Sequence, residues 1–248
     1  MTGPDQRPLR PGAKAAAGAT VVRQVIVRQV IVRQVWDAPT RLFHWATVGL
    51  VFTSWLTQRE GWMGWHFYSG YAVLTLLLFR LGWGFVGSDT ARFGRFLRAP
   101  WHALAHLRHL PRREPDTAVG HNPAGGWMVA ALLALLAFQV GTGLCANDQA
   151  ATYGPFADAL GQSLSDRITD LHAWGFTLIE IAVALHVLAI AAYALLKRHD
   201  LVRPMITGRK RLPAELPAPR LASPWRAAAV LAAAAALVAF VLGRFGAT

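Results

Sequence analysis

The stretch DLHAWGFTLIEIAVALHVLAI, Asp170–Ile190, sets two histidines, His172 and His186, inside an otherwise apolar run. An ionisable ring in lipid is costly and usually has a function. On an α-helix the interval between them is a rise of about 21 Å and a rotation about 40° short of four full turns. The two rings therefore share one face near opposite leaflets. A structural, hydrogen-bonded histidine is the usual reading of one such residue, and two on one face ask for more.

One chemistry needs an imidazole from each of two facing helices: bis-histidine ligation of a b-type haem. His44 sits near the start of a first apolar segment and His66 near the start of a second. Successive spans run in opposite directions, so His66 and His172 come to one depth, and His44 and His186 to the other. Four histidines thus form two matched sets, one per leaflet. No CxxCH occurs for covalent haem attachment, and the lone Cys145 reads as a small buried apolar residue near a helix end.

These rings need long apolar helices to position them, and the composition supplies them. Of 248 residues, 54% are hydrophobic and only 15% charged, yet the formal net charge is +12. Mean hydropathy is +0.33. A soluble domain carries roughly 25% charged residues. Apolar spans joined by basic loops fit better, and nucleic-acid binding is not expected, because the apolar residues gather into membrane-length runs. Five segments stand out: Leu42–Thr57, Trp65–Val86, Gly126–Ala146, Asp170–Leu196 and Trp225–Gly243. Lipid offers the backbone no hydrogen-bond partner, so the spans must be helices. The expected fold is all-α, an integral membrane bundle with a four-helix haem-binding core and a fifth, C-terminal transmembrane helix.

Basic residues orient it. Lys and Arg number 21 on the side of the N-terminus and the two long loops, against 3 on the other, with Arg80 inside the second span. The positive-inside rule then places the N-terminus in the cytoplasm and the C-terminus in the periplasm of a multi-pass bacterial inner-membrane protein. The N-terminal segment lacks the apolar core of a signal peptide, so the first span is expected to drive insertion. Three regions follow: a basic extension over 1–34, the haem-binding bundle over 35–211, and a linker with the last helix over 212–248. The extension repeats VIVRQ with a period of five. That period fits neither a helical face nor the alternation of a strand, and reads as a tandem duplication of the juxtamembrane boundary, compatible with anionic lipid.

Other polar residues carry lesser readings. Arg80 follows His66 by 14 residues, on nearly the same face, where it suits a haem propionate or snorkels to the inner headgroups. His121, in VGHNPAGGWM, serves a propionate, a quinone or a turn. His102, His106 and His109 have helical spacing and read as one face of an interfacial amphipathic helix rather than a metal site. His199 reads as loop. Glu180, near mid-membrane, is expected to be hydrogen-bonded inside the bundle, with a place in a proton path the alternative. Asp148, Asp158 and Asp166, against Arg167 alone, make an acidic outer loop suited to a basic redox partner.

Together WDAPTRLFHW, the early His66, FRLGWGFVGS, GHNPAGGWM, the paired histidines of the fourth span and LVRPMITGRK resemble the bacterial cytochrome b561 family, which includes the cytochrome b subunits of membrane-bound nickel–iron hydrogenases. The resemblance runs from about Val35 to Arg211. It implies two non-covalent haems b, with His44, His66, His172 and His186 as axial ligands. It also implies electron transfer between the quinone pool and a periplasmic partner such as a c-type cytochrome or a dehydrogenase subunit. Ala173 departs from it, since many relatives carry Glu there, as does the VIVRQ repeat. Two other functions compete: a stand-alone quinone oxidoreductase for a small periplasmic reductant, and a haem-free scaffold or transporter.

Overall fold

The structure, a computed structural model, describes residues 29–109, 112, 116–148 and 152–245. The first two copies of the VIVRQ repeat lie almost wholly outside these residues. The chain begins with strand β1 (Val30–Gln34) and enters helix α1 (Ala38–Arg59). Asp37 caps α1 by accepting the Thr40 amide at 2.6 Å, and Pro39 stands in the first turn, where its missing N–H costs nothing. Helix α1 folds back through Glu60–Trp62 onto α2 (Met63–Val86), with Gly61 at φ +71° allowing the reversal. Short α3 (Phe93–Phe96) and α4 (Pro100–Arg108) follow.

Asn122 caps α5 (Pro123–Gly143) as Asp37 caps α1, accepting the Gly125 amide at 2.7 Å. After α6 (Ala157–Leu160), the long α7 (Gln162–Ala192) runs on through a π-turn, Tyr193–Lys197, and stops at Arg198 in the left-handed conformation. Then come α8 (Val202–Thr207), strand β2 (Arg209–Pro213) and α9 (Pro224–Phe245). Helix α1 packs against α2, α5 against α7, and α9 on the outside of α2.

Helices α2, α5, α7 and α9 are long and apolar enough to cross a membrane. At 22 residues α1 is about 33 Å long, enough to span, although it carries more polar residues. A Ser54–Ser69 hydroxyl pair at 2.7 Å ties its C-terminal part to the first turns of α2. The expected helical bundle with an added C-terminal helix is what forms, and helix α7 begins eight residues before the expected fourth span.

The VIVRQ expectation needs correction. Its last copy is strand β1, antiparallel to β2, with Val30 opposite Pro213 and Gln34 opposite Arg209. Alternation does hold within one five-residue unit, and a partner strand settles the conformation. This pair joins the end of the basic extension to the start of the C-terminal linker, across both expected region boundaries. Beside it Val35, Trp36 and Leu212 form a small core, and the Gly208 carbonyl accepts the amides of Val35 and Trp36. Gly208, at φ +78°, makes the turn that exposes that carbonyl. A second core joins α2 to α9 around Phe79 and Trp83. Gly84 lets the Phe93 ring lie directly on the α2 backbone, where any side chain would overlap it.

Candidate functional site

The four histidines meet as two pairs. The rings of His44 on α1 and His186 on α7 have centroids 6.5 Å apart at an interplanar angle of 53°. Those of His66 on α2 and His172 on α7 are 6.2 Å apart at 84°. At the ~2.0–2.1 Å of a histidine–metal bond, two nitrogens on opposite sides of one ion are about 4 Å apart and their ring centroids about 6 Å. Both pairs therefore fit bis-histidine ligation. The pairs lie at opposite ends of the bundle, one beside the strands and basic loops and the other at the far end.

At the far end the imidazoles are oriented by helix carbonyls. His66 Nδ1 donates to the Ser54 carbonyl at 2.8 Å, and His172 Nδ1 to the Gln139 carbonyl at 2.9 Å. Each bond fixes the tautomer that leaves Nε2 with its lone pair for a metal. A cavity of about 550 Å³ adjoins the two rings, lined also by Ser54, Tyr71, Gln139 and Phe176. Gln139 brings its amide nitrogen to 3.2 Å from His172 Nε2, while its Oε1 is buried with no partner among the described residues. Helices α5 and α7 cross closely because Gly143 and Gly175 lack side chains. A Cβ at Gly143 would stand 2.8 Å from the His172 ring, and one at Gly175 would meet the Gln139 amide. Gly143→Val is expected to push His172 off its position. Were the His66–His172 pair to hold a haem, this variant should lose more than half of it by pyridine-haemochrome content, with the His44–His186 pair unaffected.

At the basic end, His44 packs edge-on against Trp45, and its Nδ1 is buried without a partner among the described residues. Arg80 is 2% exposed. Its guanidinium stacks on Phe93 and Phe96 at 4.9 and 5.9 Å, and one terminal nitrogen has no partner among the described residues. It does not snorkel to a surface. A buried cation with an unspent donor suits an anionic group, as the propionates of a haem would be.

His121 wedges between Trp36 and Phe96, with centroids at 4.6 and 4.7 Å. It also lines a second cavity of about 330 Å³ with Arg95, Arg98, His106 and Asn122. Burial first, then the positive charge of Arg80, lowers its pKa from 6.5 to about 3. The ring is neutral at pH 7. An unfolded chain binds a proton there below pH 6.5 and the folded chain does not, so stability falls as the medium is acidified below that point. Between pH 6 and 5 this one group removes up to about 1.4 kcal/mol per unit. Thermal unfolding of His121→Phe in detergent should show a flatter acid limb than the parent.

The remaining candidates separate. Helix α4 is the expected amphipathic element, and its His106 makes a 2.6 Å bond with the Tyr193 hydroxyl, which Asn122 also reaches at 3.0 Å. No group of three or more His, Cys, Asp or Glu side chains placed to hold one metal ion occurs among the described residues. His199 lies 3.8 Å from Asp116, itself paired with Lys210 at 2.7 Å. Glu180 corrects an expectation: it is exposed on α7 rather than held inside the bundle, because it lies outside the stripe of Ser165, His172, Gly175 and Ile179 that α7 turns toward its neighbours. Asp37 was not singled out in the sequence. Its second oxygen accepts the Trp83 indole N–H at 3.2 Å, joining the entry of α1 to α2 beside Arg80. The signal was present in WDAP, an acidic residue before a proline at a helix start.

Comparison with known proteins finds a matching family and related chains. A model of the family described as prokaryotic cytochrome b561 matches residues 35–208. A probable Ni/Fe-hydrogenase B-type cytochrome subunit of Azotobacter chroococcum mcd 1 is 27% identical over 214 residues, covering 70% of this chain and 86% of the relative. Its counterpart in Rhizobium leguminosarum bv. viciae is 25% identical, with 71% and 87% covered. A probable Ni/Fe-hydrogenase 1 B-type cytochrome subunit of Escherichia coli (strain K12) is 25% identical, with 70% and 88% covered. No solved structure gives a significant match.

Proposed function

We propose that this chain, which belongs to the prokaryotic cytochrome b561 family and is a membrane electron-transfer cytochrome b, carries two b haems. One lies between His44 and His186 and the other between His66 and His172. The observation that supports this reading is the pair of ring distances, 6.5 and 6.2 Å, at opposite ends of one bundle. Bound haem supplies a one-electron iron couple at each depth, and the protein's residues ligate, space and tune it.

Electrons then cross the membrane between the quinone pool and a redox partner. The basic loops put the N-terminus and the His44–His186 end in the cytoplasm, and the C-terminus with the His66–His172 end in the periplasm. Arg80 and His121 serve the cytoplasmic end, Arg80 as counter-ion to propionates and His121 as a neutral ring beside them or beside a quinone. The names of the relatives point to a hydrogenase or comparable dehydrogenase subunit as the partner, with a c-type cytochrome the alternative.

The test is haem stoichiometry. Purified chain should give two haems b per polypeptide by pyridine haemochrome, with a reduced-minus-oxidised spectrum of a low-spin b cytochrome. A single haem, or none, overturns the two-site reading.

A further inference from the structure

We propose that the cavity bordered by Arg95 and Arg98, at the basic end of the bundle, binds the phosphodiester of an anionic phospholipid. The site goes beyond the electron-transfer reading and does not depend on how many haems the chain carries.

The lining is cationic and lacks an answering charge. Arg95, Arg98 and His106 border the cavity of about 330 Å³, and no carboxylate among the described residues lines it. Asp89, outside the lining, reaches Arg95 only at 3.9 Å and turns the same oxygen to Arg92 at 4.0 Å. Its other oxygen accepts the Arg220 amide at 3.1 Å. The Arg98 guanidinium meets no carboxylate among the described residues. A guanidinium presents paired donors in the geometry of two phosphate oxygens, so two of them at one cavity suit a phosphate.

The walls are braced by the protein itself. His106 and the Tyr193 hydroxyl are 2.6 Å apart, their rings stack at 6.2 Å and 17°, and Asn122 donates to the same hydroxyl at 3.0 Å. These contacts join α4, the start of α5 and the π-turn after α7. The Trp127 indole donates to the Arg98 carbonyl at 2.9 Å, which holds the arginine-bearing segment against α5.

The surroundings select a lipid over a free ion. Trp101 on α4 and Trp127 in the first turns of α5 are exposed, as tryptophans at the level of lipid headgroups are. Trp101, Leu104 and Leu107 give α4, which also carries His106, an exposed apolar surface on which acyl chains can lie. Basic pockets between spans at the cytoplasmic side suit anionic headgroups. The ammonium of a zwitterionic headgroup would find no carboxylate in this lining. Phosphatidylglycerol and cardiolipin, which carry no ammonium, fit it better.

Electron spin resonance on the full chain in phosphatidylcholine vesicles tests this, with spin-labelled phosphatidylglycerol or spin-labelled phosphatidylcholine as the probe. The immobilised fraction of each label gives their relative retention. The parent should favour phosphatidylglycerol by at least about fivefold, the scale of one arginine at a membrane surface. Arg95→Gln combined with Arg98→Gln should bring the two labels close to parity. Arg209→Gln combined with Arg211→Gln removes the same charge from exposed positions of β2 at the same end, and should leave most of the preference. Haem content should be equal in all three proteins. Arg98→Gln alone, a change at an exposed side chain, should lower the preference at least about twofold and carries the test where the double variant fails to insert. Parity in the parent, or equal losses in the two double variants, overturns the proposal, the second result assigning the preference to diffuse surface charge. Displacement of the label by inorganic phosphate at constant ionic strength overturns the choice of a lipid over a free ion. Haem lost from the Arg95 and Arg98 variants assigns those arginines to propionates and overturns the lipid site as well.

Discussion

His172→Ala is expected to halve the haem content, from two per chain to one, and His66→Ala should remove that same haem. His44→Ala and His186→Ala should each remove the other. The decisive result is the double variants. Combining His66→Ala with His172→Ala should cost nothing beyond either single change, because the proposed site has both ligating one ion. His172→Ala with His186→Ala should leave an empty chain. Groups that act as a unit are non-additive, and groups at separate sites add. Haemochrome quantitation on protein purified by affinity tag, with size-exclusion profiles confirming a folded bundle, gives the full matrix. Crossed pairing, in which His44 and His172 behave as one unit, would contradict the 6.5 and 6.2 Å pairs of the structure.

Trp83→Ala should be the most destabilising single change outside the ligands. Trp83 is fully buried, stacks on Phe79 at 5.9 Å and lies in the core between α2 and α9. Emptying a site of that size costs about 3–5 kcal/mol. Its indole also donates to Asp37, so the change leaves a buried carboxylate short of one donor, which adds about 1–3 kcal/mol. Because Asp37 caps α1 as well, the damage reaches the entry of the helix that carries His44. Trp83→Phe separates the two terms. It keeps most of the volume and loses only the bond, and should cost well under half as much. Thermal unfolding in detergent, followed by tryptophan-independent circular dichroism, orders the three proteins as parent, Trp83→Phe, Trp83→Ala.

The pairing of the four histidines was legible in the sequence for a physical reason. A charge-poor helix has few ways to keep an imidazole, and the 14-residue interval of His172 and His186 converts directly into one face and two depths. Antiparallel succession of spans then assigns His44 and His66 their partners without any side-chain detail. The bundle was legible on the same ground, since lipid permits only helices and the apolar runs announce them.

Contacts between residues distant in the chain were not legible. The strand in VIVRQ exists only because Arg209–Pro213 comes to lie beside it, and no periodicity in five residues announces a partner some 180 positions away. Asp37 was readable as a cap but not as the acceptor for Trp83. Glu180 was placed by helical angle alone, which cannot say how few neighbours α7 has on that side. The sequence by itself determined which residues can ligate and at what depth, because helical rise and the thickness of a bilayer are fixed quantities. The tertiary structure decided how the histidines are held: which carbonyl accepts an N–H, which glycine lets a neighbouring helix approach, and which cation is left buried at that end of the bundle. Those depend on distances across the bundle, which no spacing along one helix contains.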